Sequence, residues 1–392
     1  MDKIKIHNFG PIKDIDIKLS KLMVFIGPQG AGKSAFAKLL TIFSDIYWWT
    51  NICKNNNPLS EFKKMEIVNY FAPDTYIEYY GRNDVNIRYR DGKFSISIKD
   101  LSQQEIYDYC KMLISSSYSD NIIDMGLDIV DNQQVEKSIK DNLNFLRANL
   151  RYACYIPAER NLAGAVSSSL ANIILSKIPL PNTLMEYLSL FERAKNHFPI
   201  YNATFLGVEY DKNHGSNCIS VLGDIEKYLS LEECSSGIQS ALPMLMITDF
   251  AREEKYFDSY VVEEPEQNLF PTNQREVLNK LISIANSDEC TYMVITTHSP
   301  YLLSALNVSM LANNLRKVDV NKKEEVDSIV PPQFQIDSAD VSVYSLGGRE
   351  YCESIKDERT GIVSVNYLDV VSDSIGADFN KLYHLYLKTL QK

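Results

Sequence analysis

The stretch Gly27-Pro28-Gln29-Gly30-Ala31-Gly32-Lys33-Ser34 limits what the chain can fold into more than any other part of it. The run Leu22 to Ile26 before it is short and continuously apolar, as a strand buried on both faces should be, and Ala35 to Phe43 after it has helical spacing. Strand, glycine-rich loop and helix are the context in which such a loop cradles phosphate. The loop from Gly27 through Gly30, Ala31 and Gly32 can turn its backbone N–H groups inward, Lys33 offers a point charge to the outer phosphates, and Ser34 offers a hydroxyl to Mg²⁺. An α/β fold of the P-loop NTPase kind is therefore expected.

The 392 residues are enough for one nucleotide-binding domain with a substantial insertion or lobe. A formal net charge of -11 speaks against a surface coated for nucleic acid, although a local basic face fits inside an acidic average, so nucleic acid stays a possible partner. Seven cysteines without a CxxC pair read as reduced thiols rather than a zinc site, which points to the cytoplasm. The charged first strand and the lack of a long apolar run lead us to expect neither a signal segment nor membrane insertion.

Lys3 to Phe9 alternates polar and apolar residues, turns at Gly10-Pro11, and resumes at Ile12, Ile15, Ile17 and Leu19. Tyr47-Trp48-Trp49 and Phe62 to Met65 read as helical, with the tryptophans as core wedges rather than base-stacking platforms. Thr75 to Tyr80, Val85 to Arg90 and Phe94 to Ile98 read as an antiparallel meander. From Leu101 to about Leu150 the pattern is helical and carries no heptads, so a helical lobe is expected, with Ile139, Leu143, Phe145 and Leu146 in its second helix. Tyr152 to Ile156 reads as a buried strand ending in Pro157-Ala158-Glu159-Arg160. Glu159 and Arg160 then stand either where ligands bind in open α/β sheets or in a surface salt bridge. Strands are expected again at Thr204 to Tyr210 and Cys218 to Leu222. These segments divide the chain into expected units 1–100, 101–200, 201–310 and 311–392.

Ser235-Ser236-Gly237-Ile238-Gln239 opens a long apolar helix that contains Pro243. The Ser236 to Gln239 spacing is that of a capping box, with Ser236 as N-cap, and the helix start would face an anion. Ser259 to Val262 is a buried strand that runs into Glu263-Glu264-Pro265-Glu266. Adjacent carboxylates there are costly unless a metal or a water needs them: Glu263 can hold Mg²⁺ and Glu264 can take a proton from the attacking water. The strand Tyr292 to Thr297 ends in His298, placed to sense a terminal phosphate.

Together these motifs resemble the ABC-type ATPase head. Asn8-Phe9-Gly10-Pro11-Ile12 and Glu263-Glu264-Pro265-Glu266-Gln267-Asn268-Leu269-Phe270-Pro271 resemble more narrowly the RecF, SMC and OLD branch, many of whose soluble members belong to bacterial anti-phage systems. The resemblance implies a mixed sheet, an N-terminal antiparallel β subdomain and a helical insertion lobe. It also implies a homodimer or higher homo-oligomer in which two heads sandwich ATP and Mg²⁺. Ser236 and Gly237 would then contact the γ-phosphate in trans, Glu264 would polarise water, and His298 would monitor the γ-phosphate. Three positions depart from the family: Glu263 stands where aspartate is common, Ile238 replaces the second signature glycine, and Glu159-Arg160 occupy the place of the Q-loop glutamine.

The C-terminal segment reads as short strands Val341 to Leu346 and Ile362 to Val365, an exposed loop at Lys322 to Glu325, and a helix Phe379 to Leu390. Asp369, Asp373 and Asp378 read as caps and a solvated helix face rather than a Toprim-type acidic cluster. The expected function is an ATP-driven switch that controls a separate effector. A RecF-like DNA-binding ATPase is the alternative, and a transporter subunit or a small-molecule kinase fits less well.

Overall fold

A computed structural model describes residues 2–54, 58–81, 85–116, 153–166, 175, 179–215, 218–221, 224–254, 257–288, 290–348, 351–364 and 374–384. The second helix expected in the lobe, Ser167 to Ser169, Val365, Asp369 and Asp373 lie outside the described residues.

The chain opens with the expected hairpin, β1 (Lys3–Phe9) and β2 (Ile12–Lys18), and then enters β3 (Leu22–Ile26), every residue of which is buried. The meander follows as β4 (Phe71–Tyr80), β5 (Asn86–Arg90) and β6 (Lys93–Ser97). Next come β7 (Ala153–Ile156) and then β8 (Ile200–Ala203), β9 (Val208–Asp211), β10 (Cys218–Val221) and β11 (Asp224–Ser230). The last strands are β12 (Ser259–Glu263), β13 (Tyr292–Thr297), β14 (Val341–Leu346) and β15 (Cys352–Ser354).

They form three sheets, ordered β2-β1-β4-β5-β6, β11-β10-β9-β8 and β15-β14-β3-β13-β12-β7. The third is parallel except for β15, so it is mixed as expected and forms the centre of the molecule. Alternation along β3 explains why it reads as one apolar run. Met23 and Phe25 face a core shared with the antiparallel sheet and the helix Lys33–Phe43, while Leu22, Val24 and Ile26 face a core shared with the helices Ser236–Glu253, Pro271–Ala285 and Pro300–Val318. Trp48 and Trp49 are core wedges: both rings are buried, and their indole N–H groups donate to Pro58 O and Phe43 O, each at 2.8 Å.

Four details differ from the sequence reading. Thr204–Leu206 is a 3₁₀ turn rather than strand, because Gly207 with φ 72 turns the chain between β8 and β9. Lys323 to Ile329 forms a short helix after a 3₁₀ turn at Val320–Lys322, held by Val326, which packs with Ala312 and Val330. Ile362 to Val363 adds only a bridge, between Lys356 and Val363. The C-terminal extension expected from residue 311 supplies β14 directly to the central sheet, parallel to β3 from Val341↔Leu22 to Ser345↔Ile26.

Candidate nucleotide site

Because β7, β12, β13, β3 and β14 run parallel, their carboxyl ends emerge along one edge, which is where ligands bind in open α/β sheets. That edge brings together residues far apart in sequence. A cleft of about 180 Å³ is lined by Gln29, Gly30, Gly32, Lys33, Glu264 and His298, together with Ala31, Ser34 and the aromatic ring of Tyr70.

The loop geometry follows from its glycines. Gly32 has φ 96, and a Cβ there would meet Ile12 and the Tyr351 hydroxyl; Gly30 has φ 75 and opens to solvent. The Lys33 ammonium is buried and donates to Gly27 O at 2.8 Å and Pro28 O at 3.0 Å. Among the described residues no carboxylate forms an ion pair with it. Burial lowers its pKa, and the charges of Glu264, Glu263 and Glu266 act against that shift. A partly desolvated cation held by carbonyl groups at a glycine-rich loop suits a phosphate, which is the better partner.

Glu263 is buried at the end of β12. Its Oε2 accepts from Ser34 Oγ at 2.9 Å and its Oε1 from Tyr155 OH at 2.7 Å. Burial raises its pKa, against the effect of both hydroxyl donors. Ser34 Oγ and Glu263 Oε2 offer two adjacent oxygen donors, the hard ligands that Mg²⁺ takes, so this pair would hold the ion. The longer glutamate side chain at position 263 thus still reaches Ser34.

Glu264 lies one residue beyond the strand, in the left-handed region at φ 44, and its N–H donates to Thr296 O at 2.8 Å. That turn directs the side chain out of the core, where its Oε1 is 3.4 Å from His298 Nε2 and its Oε2 accepts from Gln267 Nε2 at 3.3 Å. Glu266 anchors the histidine turn by accepting from His298 N at 2.8 Å and Thr297 Oγ1 at 2.6 Å. One carboxylate is therefore sealed beside Ser34, while its neighbour faces the cleft beside a histidine.

Arg160 is not at the cleft. Its guanidinium is fully buried and donates to Pro157 O, Glu263 O and Glu264 O, so it holds the acidic turn from beneath. Glu159 is exposed beside it and does not line the cleft either. The physical reason is the position of β7 beside β12, which puts the start of the next turn under the end of β12.

The signature segment also differs in detail. Ser235, not Ser236, is the N-cap, with φ -61 and ψ 152, and no side chain caps this helix; Ser236 is its first residue and is exposed. The expected capping box is absent because Gln239 donates backward to Glu232 O and Cys234 O, each at 2.9 Å. A capping box forms instead at Ser230 and Glu233. Gly237 is buried against the turn after the acidic motif, where a Cβ would lie 2.8 Å from Asn268 O. Neither Ser236 nor Gly237 lines the cleft of its own chain.

Sequence reading missed Tyr155, Gln29, Tyr70 and Tyr351. Tyr351 OH donates to Pro11 O at 2.9 Å and also contacts Ala31 O, tying the β14–β15 hairpin to the loop. No local signal marks Tyr155, Tyr70 and Tyr351, because each meets partners remote in the sequence, whereas Gln29 sits inside the phosphate loop and could have been read from it.

The family match agrees with this geometry. The AAA ATPase domain family matches residues 1–153 and 167–303. An OLD nuclease from Thermus scotoductus is 21% identical over 330 residues, which is 76% of this chain and 59% of that protein. Among solved structures, an SMC head bound to the C-terminal winged-helix domain of ScpA gives a TM-score of 0.41 at 15% identity, covering 91% of this chain and 98% of that one. The SMC head domain from Thermotoga maritima gives 0.36 at 14% identity, covering 77% and 90%. With the match spanning most of its length and the phosphate loop, acidic strand end and histidine gathered at one sheet edge, the chain belongs to the AAA ATPase domain family.

Proposed function

We propose that this protein binds ATP with Mg²⁺ and hydrolyses it at the cleft between the phosphate loop and Glu264, and that two copies close on the nucleotide to form a switch controlling a separate effector. The observation that carries the reading is the contrast between Glu263 and Glu264. The first is buried and hydrogen-bonded to Ser34, suited to a metal; the second faces the cleft next to His298, suited to take a proton from water. Mg²⁺ would supply charge neutralisation at the phosphates. Gly27, Gly30, Ala31, Gly32, Lys33 and Ser34 bind and orient the phosphates, and Arg160 and Tyr155 fix the acidic turn from behind.

Dimer closure is supported by the signature helix. Its first residues are uncapped and do not line their own chain's cleft, which suits them to a phosphate that another copy would bring. The resemblance to anti-phage ATPases and the OLD nuclease relative favour a defence role with a nuclease or similar effector. The chain spans 59% of that relative. For the switch to work, the effector must bind the open and closed forms with different affinity.

Light scattering on Glu264→Gln with ATP and Mg²⁺ tests the reading. A mass increase that requires nucleotide and is absent in Lys33→Ala is expected. An unchanged mass together with parental ATP turnover would overturn both the base assignment and nucleotide-driven closure.

A further inference from the structure

The phosphate loop has a back as well as a front. Its front is the cleft, lined by Ala31, Gly32, Lys33 and Ser34. Its back lies against the C-terminal hairpin of β14 and β15. A Cβ on Gly27 would strike Leu346 O, one on Gly347 would come within 3.3 Å of Pro28 and 3.4 Å of Ala31, and one on Gly32 would lie 2.9 Å from the Tyr351 hydroxyl. Tyr351 is itself held by the hairpin, since Gly347 N donates to Tyr351 O at 2.8 Å.

The Tyr351 hydroxyl joins two further backbone segments to this hairpin. It accepts from Lys13 N, and it can donate to Pro11 O, at 2.9 Å, or to Ala31 O. Burial pushes its pKa up to about 12, so it keeps its proton, and with it the capacity to donate, through the neutral range. The consequence lies one peptide further along the loop. In a planar trans peptide the C=O and N–H point opposite ways, and no peptide among the described residues is cis. With Ala31 O turned back toward Tyr351, the Gly32 N–H is turned forward to the cleft, and it has no backbone acceptor among the described residues.

The loop does not secure that direction unaided. Gly30 and Gly32 stand on either side of Ala31, both with positive φ, and glycine moves between backbone regions at little cost. The Ala31–Gly32 peptide can therefore turn over, which would present a carbonyl oxygen to a phosphate oxygen in place of a donor. A hydrogen bond to Ala31 O from behind opposes that turn.

We propose that Tyr351 is a positioning residue for nucleotide binding, whose hydroxyl holds the Ala31–Gly32 peptide so that the Gly32 N–H donates to a phosphate. The loop begun by the N-terminal motif is thus completed by a side chain 320 residues downstream of Ala31. This assignment rests on the ATP reading above and adds to it a group that does not itself touch the nucleotide.

Calorimetry on the full chain tests it. Tyr351→Phe keeps the ring and removes the hydroxyl, so the dissociation constants of ATP and ADP should each rise by about 10-fold, the effect of one lost hydrogen bond on an oriented donor. Turnover at saturating ATP should stay within about twofold of the parent, because Glu264 and His298 are untouched. Tyr344→Phe is the control, since it removes a hydroxyl of the same hairpin that donates to Lys18 O at 3.1 Å and does not line the cleft. Both dissociation constants should keep their parental values in that variant. Parental affinity in Tyr351→Phe, an equal loss in Tyr344→Phe, or a loss confined to turnover would each overturn the proposal and leave the ATP reading standing. A parent chain that binds neither nucleotide would overturn both.

Discussion

The starts of two helices, Lys33–Phe43 and Ser236–Glu253, make an instructive contrast. Both begin with backbone N–H groups that no side chain caps, and both read in the sequence as anion sites. The first is surrounded by its own machinery: Lys33 is buried, Ser34 is bonded to Glu263, and Glu264 and His298 line the same cleft. The second has no side-chain cap, and it stands outside that cleft. A helix start alone contributes about half a unit charge at its end, which selects an anion but does no chemistry. On the function proposed above, the difference teaches that the first would be the half-site that contains the reactive groups and the second a half-site that meets a phosphate only when another copy brings one.

The most severe way to break the contrast is Lys33→Ala. It removes the loop's cation, and ATP binding measured by calorimetry should be abolished along with turnover. Retained binding would show that the first helix start suffices without its charge. Next, Glu264→Gln should keep binding while cutting hydrolysis by roughly 100-fold or more, the scale of a positioned base. Parental turnover in that variant would move the base to another residue.

Ser236→Arg sharpens the comparison from the other side. The site is exposed, so the chain should fold and bind ATP as the parent does, while hydrolysis and nucleotide-driven dimerisation are lost because bulk and positive charge meet the partner's Lys33 and metal site. If hydrolysis survived at the parental rate, the second helix start would have no part in the reaction.

The smallest effect concerns a third helix start, where Asp45 caps Ile46–Cys53 by accepting from Tyr47 N at 2.7 Å. Burial raises its pKa to about 6 from 3.8, despite that hydrogen bond. A carboxyl whose pKa is higher in the folded state favours folding fully below its unfolded value and loses that contribution as pH rises through about 6. Asp45→Asn keeps the cap and cannot ionise. Its stability relative to the parent should therefore rise between pH 4 and pH 7, by at most about 3 kcal/mol, in denaturant titrations. A gap independent of pH would show that Asp45 is not desolvated.

Much of the fold was legible because local pattern and tertiary role coincide. β3, β12 and β13 are buried on both faces and therefore read as apolar runs, and the hairpin and meander alternate because they expose one face. Reading failed where a residue's partner is remote. Gln239 has the spacing of a cap but donates to carbonyls upstream, and β15 is too short and mixed to register as a strand.

The sequence by itself determined that a phosphate loop, an acidic strand end, a histidine strand end and a signature helix occur in one order, because each is a local arrangement of residue types. Only the tertiary structure decided how they combine. Strand order brings β12 and β13 beside β3, pairs Tyr155 with Glu263, sends Arg160 beneath the acidic turn rather than to the nucleotide, and ties Tyr351 of the C-terminal hairpin to the loop. The reason is that which strands become neighbours depends on packing both faces of the whole sheet at once, and no short stretch of sequence carries that information.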